Sequence, residues 1–223
     1  IDLGKVKKLV IHNISSISYV HMNENLPKNV ELVIDEPHEA YDIQYLVHSS
    51  GANGVIENFS ITLPYYKTVD GMLYTKDGKV LVRCPSERKG DVIIQEGTVS
   101  IGMDAFRQTK ISSVTLPDSM CMLYEKAFCE CRNLEHVNFG KGITYIGTTD
   151  STSIFESCVS LKKLEFPKQI TSIGSRAFYN CSLEEVVFHE GLKKISQSAF
   201  ISNNSLKSVT LPSSIKYIGA FNF

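Results

Sequence analysis

The chain has 223 residues, 43% of them hydrophobic, with 23 Lys+Arg against 24 Asp+Glu. That composition supplies a core but, at a net charge of −1, no overall field that would draw a nucleic acid or an anionic membrane. Its longest apolar run is far short of the roughly 18–20 residues that span a bilayer, so no membrane insertion is expected within this chain. It opens at Ile1-Asp2-Leu3 without an initiator Met, which reads as a processed or trimmed chain and leaves any signal sequence out of view.

Along residues 1–60 the patterning is faint. Leu9/Ile11 and Leu32/Ile34 each place two apolar residues on one face of a short strand, and Leu9 lies 23 residues before Leu32. Residues 1–60 therefore read as two or three degenerate repeats forming a cap, with a separate small domain as the alternative. Residues 61–91 hold the same geometry at Ile61/Leu63, followed by a longer insert. Two β-rich runs between Thr68 and Pro85 flank Asp77-Gly78, a strong hairpin signal. That hairpin either projects from a sheet or extends its edge.

From residue 92 to 223 the sequence repeats itself. LKKLEFPKQITSIGSRAFYNCS from Leu161 is followed by LEEVVFHEGLKKISQSAFISNNS from Leu183 and LKSVTLPSSIKYIGAFNF from Leu206. Upstream lie ISSVTLPDSMCMLYEKAFCECRN from Ile111 and LEHVNFGKGITYIG from Leu134. The template is L-x-x-V-x-L-P-x-x-x-I-x-x-I-G-x-x-A-F-x-x-C, in five to six units. Its anchors are Val92, Val114, Val137, Leu164, Val186 and Val209, spaced by 22, 23, 27, 22 and 23 residues. The long interval carries extra residues around Thr148–Ser153, as an insertion at a turn does. Alternation across L-x-x-V-x-L predicts a strand, which Pro ends by withholding a backbone donor. The I-x-x-I-G stretch is read as the return, with Gly allowing a sharp bend, and A-F-x-x-C closes the turn. A single unit of this size cannot bury enough apolar surface to fold alone, so the units must stack into one continuous solenoid.

The template resembles the BspA-like leucine-rich repeat family, through signatures such as Ile173-Gly174 to Cys181 and the phrase from Val69-Asp70-Gly71 to Pro85. The resemblance is good over about residues 59–223 and weak over 1–58. It implies a leucine-rich-repeat right-handed solenoid, β-rich, with a parallel sheet of short strands and short or helical turns on the convex side. It also implies a bacterial secreted, periplasmic or cell-surface protein that adheres to a protein or glycan of unknown identity. Two departures stand out: Asn203-Asn204 and Thr109 fall where the template has Cys. The last unit ends at Asn222-Phe223 in place of Ala-Phe, which leaves minimal capping or a fragment of a longer protein as the two expectations.

Candidate chemistry is sparse. Six Cys would suit disulfides in a small secreted protein, but Cys131, Cys158 and Cys181 share one repeat position and read as small buried hydrophobes. Stacked neighbours lie about 4.8 Å apart, and their side chains point in parallel rather than at each other. A zinc site from Cys129, Cys131 and His136 is disfavoured: Cys131 should face in, His136 out, and a further ligand is missing. Nucleophile-elbow, phosphate-loop and dinucleotide motifs are absent, and the six His follow no ligand spacing. No catalytic residue, cofactor or metal is therefore assigned. The candidate contacts are the residues flanking the anchors, expected on the concave face: Ser113, Thr115, His136, Asn138, Lys163, Glu165, Glu185, Val187, Ser208 and Thr210. Tyr65, Tyr66 and Tyr74 of the insert are a second candidate surface. The competing readings are a structural spacer or stalk, and an intracellular scaffold compatible with reduced cysteines.

Overall fold

A computed structural model describes residues 66–147 and 152–223, together with the backbone of two strands in the N-terminal third. Those two, β1 (Lys8–Ile11) and β2 (Glu31–Ile34), pair in parallel with Leu9 opposite Leu32, the 23-residue step seen in the sequence. The other expectations for residues 1–65 lie outside the described residues, as do most of the extra residues around Thr148–Ser153.

The anchors fall on strands stacked coil upon coil. These are β6 (Lys89–Ile93), β8 (Lys110–Thr115), β10 (His136–Asn138), β12 (Lys163–Glu165) and β14 (Glu185–Val187). Val92 pairs with Val114, Val114 with Val137, and Leu164 with Val186. The ladder is interrupted between β10 and β12, across the interval lengthened by the insertion. In the last unit Val209 lies outside any strand.

The I-x-x-I stretches differ from expectation. They are not a mere return but a second ladder of two-residue parallel strands: β7 (Ser100–Ile101), β9 (Met122–Leu123), β11 (Tyr145–Ile146), β13 (Ser172–Ile173), β15 (Lys194–Ile195) and β16 (Tyr217–Ile218). Ile146, Ile173, Ile195 and Ile218 line up in register. The glycine that follows also has another role. At Gly174 an added Cβ would lie 2.9 Å from the Ile146 carbonyl, and at Gly219 2.5 Å from the Gln197 nitrogen, whereas only Gly147 of this column has a positive φ, of 90°. Close approach of neighbouring coils, more than a bend, excludes a side chain there.

The insert forms two hairpins, not one. Strands β3 (Tyr66–Val69), β4 (Met72–Thr75) and β5 (Val80–Arg83) make an antiparallel meander, and β5 then pairs in parallel with β7. The insert thus extends the edge of the second sheet. Asp70 and Gly71, at φ 49° and 73°, turn the first hairpin; in the second, the Asp77 carboxylate accepts from Thr75 Oγ1 at 2.7 Å and Lys79 N at 2.9 Å. Tyr66 and Tyr74 are buried, so these two insert tyrosines are core and not contact surface.

The third side is made of turns; no helix forms among the described residues. Here Ala-Phe repeats build the centre of the core. Phe106, Phe128, Phe155, Phe178, Phe200 and Phe223 form one stack, with successive centroids 4.8, 5.0, 5.1, 5.5 and 5.7 Å apart and nearly parallel rings. Phe139, Phe166 and Phe188 form a second stack that meets the first edge-on, as at Phe166–Phe178, where the interplanar angle is 79°. The turns force non-glycine residues into left-handed backbone, among them Lys126, Arg176 and Ser198 before the Ala-Phe pair and Gln108, Glu130 and Asn180 after it. Each costs about 1–2 kcal/mol. Intercoil bonds such as Phe128 N to Ile154 O and Phe178 N to Ala199 O, both 2.8 Å, hold them there.

The cysteine position is more than apolar filling. Cys131 Sγ donates to the carbonyl of Phe106 at 2.9 Å, Cys158 to Phe128 at 3.1 Å and Cys181 to Phe155 at 2.9 Å, always one coil back. Asn203 continues the column: its amide donates to Phe178 O at 2.8 Å and Phe200 O at 2.7 Å and accepts from Leu183 N at 2.9 Å. What the column preserves is a buried donor aimed at a carbonyl of the preceding coil.

Two stability outcomes follow from this packing. Phe178→Ala should cost about 3–5 kcal/mol in urea unfolding, because its neighbours in both stacks cannot collapse into the space; a loss below about 1 kcal/mol would place the core elsewhere. Asn203→Leu should cost about 2–4 kcal/mol, since it removes the buried partner of two carbonyls and an N–H, with Asn203→Cys recovering part of the loss.

Candidate binding face

The first sheet exposes what the alternation predicts. Of the ten candidate contacts, Ser113, Thr115, His136, Asn138, Lys163, Glu165, Glu185 and Val187 lie on strands, paired across the ladder as His136 with Ser113 and Lys163 with Glu185. Ser208 and Thr210 are exposed on the last coil, outside any strand. All ten are exposed or half-buried, while the anchors between them turn inward. The column begins one coil earlier than expected. Asp91 and Ile93 flank Val92 in the same register, and Ile93 is 76% exposed. The alternation around Val92 was signal enough to find them.

Charges on this sheet are largely satisfied internally. Lys163 Nζ is 3.0 Å from Glu185, and His189 Nε2 is 2.9 Å from Glu165. Asp91 accepts from the Ser113 and Ser112 hydroxyls at 2.7 and 3.1 Å, which holds its carboxyl below the usual range. Where the ladder breaks between β10 and β12, a shallow depression of about 330 Å³ gathers His136, Lys163, Glu165, Glu185 and Val187 over Val137 and Leu164. It therefore unites five of the ten candidates. The arrangement can donate and accept hydrogen bonds over an extended strip.

A second exposed column lies on strands too short for the I-x-x-I spacing to mark them as strands. Met122, Tyr145, Lys194 and Tyr217 project from the second sheet, with Tyr145 and Tyr217 more than half exposed. Only the residues on either side of each two-residue strand reveal its alternation.

Six stacked units with this template and these turns match the BspA type leucine rich repeat region in six copies, over residues 87–150 and 151–223. The chain belongs to that family. Among solved structures it is similar to a leucine rich cell surface protein from Faecalibacterium prausnitzii A2-165, at 25% identity and a TM-score of 0.65, over 86% of this chain and 52% of that one. A leucine-rich repeat protein from Eubacterium ventriosum ATCC 27560 shares the fold at 19% identity and a TM-score of 0.62, over 97% of this chain and 57% of that one. One from Bacteroides ovatus ATCC 8483 matches at 26% identity and a TM-score of 0.50, over 67% and 40%. The chain thus spans about half the length of these solved relatives. No curated protein shows significant similarity to it. No described helix is long and apolar enough to cross a membrane.

Within this family member the thiols take the places that packing assigns them. Cys131 faces the core and His136 is exposed, so the pair does not converge. None of the six Cys is in a disulfide, and five are buried. Burial pushes the thiols of Cys84, Cys129 and Cys181 up to about 12 and that of Cys158 well above its ordinary value. Cys121 alone is exposed. Maleimide at pH 8 should therefore label the native chain once, at Cys121, and all six thiols after denaturation without reductant, read by intact mass. Fewer than about five adducts in the denatured sample would mean that the column is oxidised.

Proposed function

We propose that this chain is a non-enzymatic interaction module of a bacterial secreted or surface protein, presenting its repeat surface to a protein or glycan partner. The observation that carries the reading is a contrast within each coil. Inward positions hold a branched aliphatic residue throughout, as in Val92, Val114, Val137, Leu164 and Val186. The outward position beside each anchor changes character at every step, from Asp91 to Ser113, His136, Lys163 and Glu185. The interior is given over to stacking, and the buried thiols, pushed up by desolvation, are poor nucleophiles. Chemistry toward a partner is left to the outer columns. The likeness to a protein described as a cell surface protein supports the setting.

A spacer or stalk is the second reading. It is favoured by the self-paired charges of the first sheet, which offer little to a ligand without breaking Lys163–Glu185 and Glu165–His189. Immobilising the chain and passing over it a panel of extracellular-matrix proteins and glycans separates the two. An interaction module gives saturable binding to at least one component at low micromolar concentration or better. Flat responses across the whole panel would leave the spacer.

A further inference from the structure

The two sheets differ in charge in a way that the near-zero net charge conceals. On the first sheet the positions flanking the anchors include Asp91, Glu165 and Glu185. On the second, the strand residue preceding the Ile or Leu of each coil, and the residue before it, are acid-free in all six coils from Val99 to Tyr217. Three of these are the exposed Lys193, Lys194 and Lys216. They sit together: Lys193 N bonds Thr171 O at 2.8 Å and Lys216 N bonds Lys193 O at 2.9 Å, so the lysines lie on adjacent coils. Tyr217 pairs with Lys194 across the ladder, the ammonium 5.7 Å from the ring centre. Among the described residues none of the three lysines is in an ion pair. Glu190, the carboxylate nearest to Lys193 in sequence, is turned instead to Ser213 N at 2.9 Å and Ser214 N at 3.1 Å. The same face carries exposed rings at Tyr145 and Tyr217, 57% and 54% accessible, with Tyr124 and Met122 beside Tyr145 at the other end.

We infer that the second sheet binds an anionic polysaccharide, a chain of sugars bearing carboxylate or sulfate groups. Charge complementarity comes from the unpaired lysines. A Lys ammonium is a point charge that accepts anions from many directions, whereas the planar guanidinium suited to bidentate clamping of a peptide carboxylate is missing from this column. Exposed tyrosine rings offer flat apolar faces to the C–H faces of pyranose rings and a hydroxyl at the rim. Half-exposed Thr144, Thr171 and Ser172 form a low polar floor between the ring-bearing ends. Strand spacing of about 4.8 Å sets lysines and rings in a line along the solenoid axis, which fits an extended polymer. The inference rests on the interaction-module reading and moves its contact surface from the first sheet to the second.

The test uses the intact 223-residue chain and four probes of equal length: a heparin octasaccharide, a hyaluronan octasaccharide, a neutral dextran octasaccharide and an octa-glutamate peptide. Calorimetry should show at least one of the two acidic sugars binding about tenfold tighter than dextran and octa-glutamate, and more weakly as salt rises. K193S/K194S/K216S should lose about tenfold, and Y145A/Y217A several-fold, with K163S on the first sheet unchanged and far-UV dichroism retained in all. Should a variant misfold, acetylation footprinting of the unaltered chain replaces it. Bound heparin or hyaluronan should then protect Lys193, Lys194 and Lys216 at least about threefold more than Lys163. Octa-glutamate binding as tightly as the sugars would point to an acidic protein partner and overturn the inference. So would dextran binding equally well, unchanged affinity in the lysine variant, an equal loss in K163S, or uniform acetylation. A matrix protein bound in the panel while both acidic sugars fail would retain the interaction module and remove this inference alone.

Discussion

Each coil of this chain has an apolar inner surface too small to bury by itself, and the structure depends on the next coil supplying the missing contact. The phenylalanine stack shows this most directly. Phe155 is sandwiched between Phe128 and Phe178 at 5.0 and 5.1 Å, so each ring completes its burial only through its neighbours. The same dependence explains features that would be unfavourable in isolation. Left-handed Lys126 and Arg176 are tolerated because intercoil backbone bonds over-determine the turns that hold them. Gly174 and Gly219 lack side chains because the adjacent coil occupies that space.

Stacking also divides the residues into two groups with different duties. Inward side chains must match the coil above and below, which is why valine, isoleucine and phenylalanine recur, and why the donor column survives a change from thiol to amide at Asn203. Outward side chains meet only water and their lateral neighbours, so charge can be distributed freely over them. The first sheet spends its charges on each other, as in Lys163–Glu185. The second gathers three lysines and two exposed tyrosine rings with no carboxylate among them. A net charge of −1 averages these two faces and describes neither.

Much of this was legible in the repeat. Anchors from Val92 to Val186, their exposed flanks and the Ala-Phe pairs all fall where the spacing puts them, because a side chain's direction in a strand depends only on local alternation. The second sheet was not legible. Its strands are two residues long, and I-x-x-I places apolar residues three apart, which no strand period signals. The insert illustrates the same limit. Asp77-Gly78 announced one hairpin, while Asp70-Gly71, equally a turn pair, needed its partner strands to be recognised as another.

The sequence by itself determined the repeat, its register, the family and the division between inward and outward flanks of the first sheet. Those follow from local periodicity and from the failure of one coil to fold alone. Only the tertiary structure decided that the return segments form a second sheet, that the insert extends it, and that Tyr66 and Tyr74 are core. It also decided that the cysteine column is a line of hydrogen-bond donors and that Lys193, Lys194 and Lys216 come together on adjacent coils. These depend on which atoms of one coil meet those of the next, 20 or more residues away, and no local pattern carries that information.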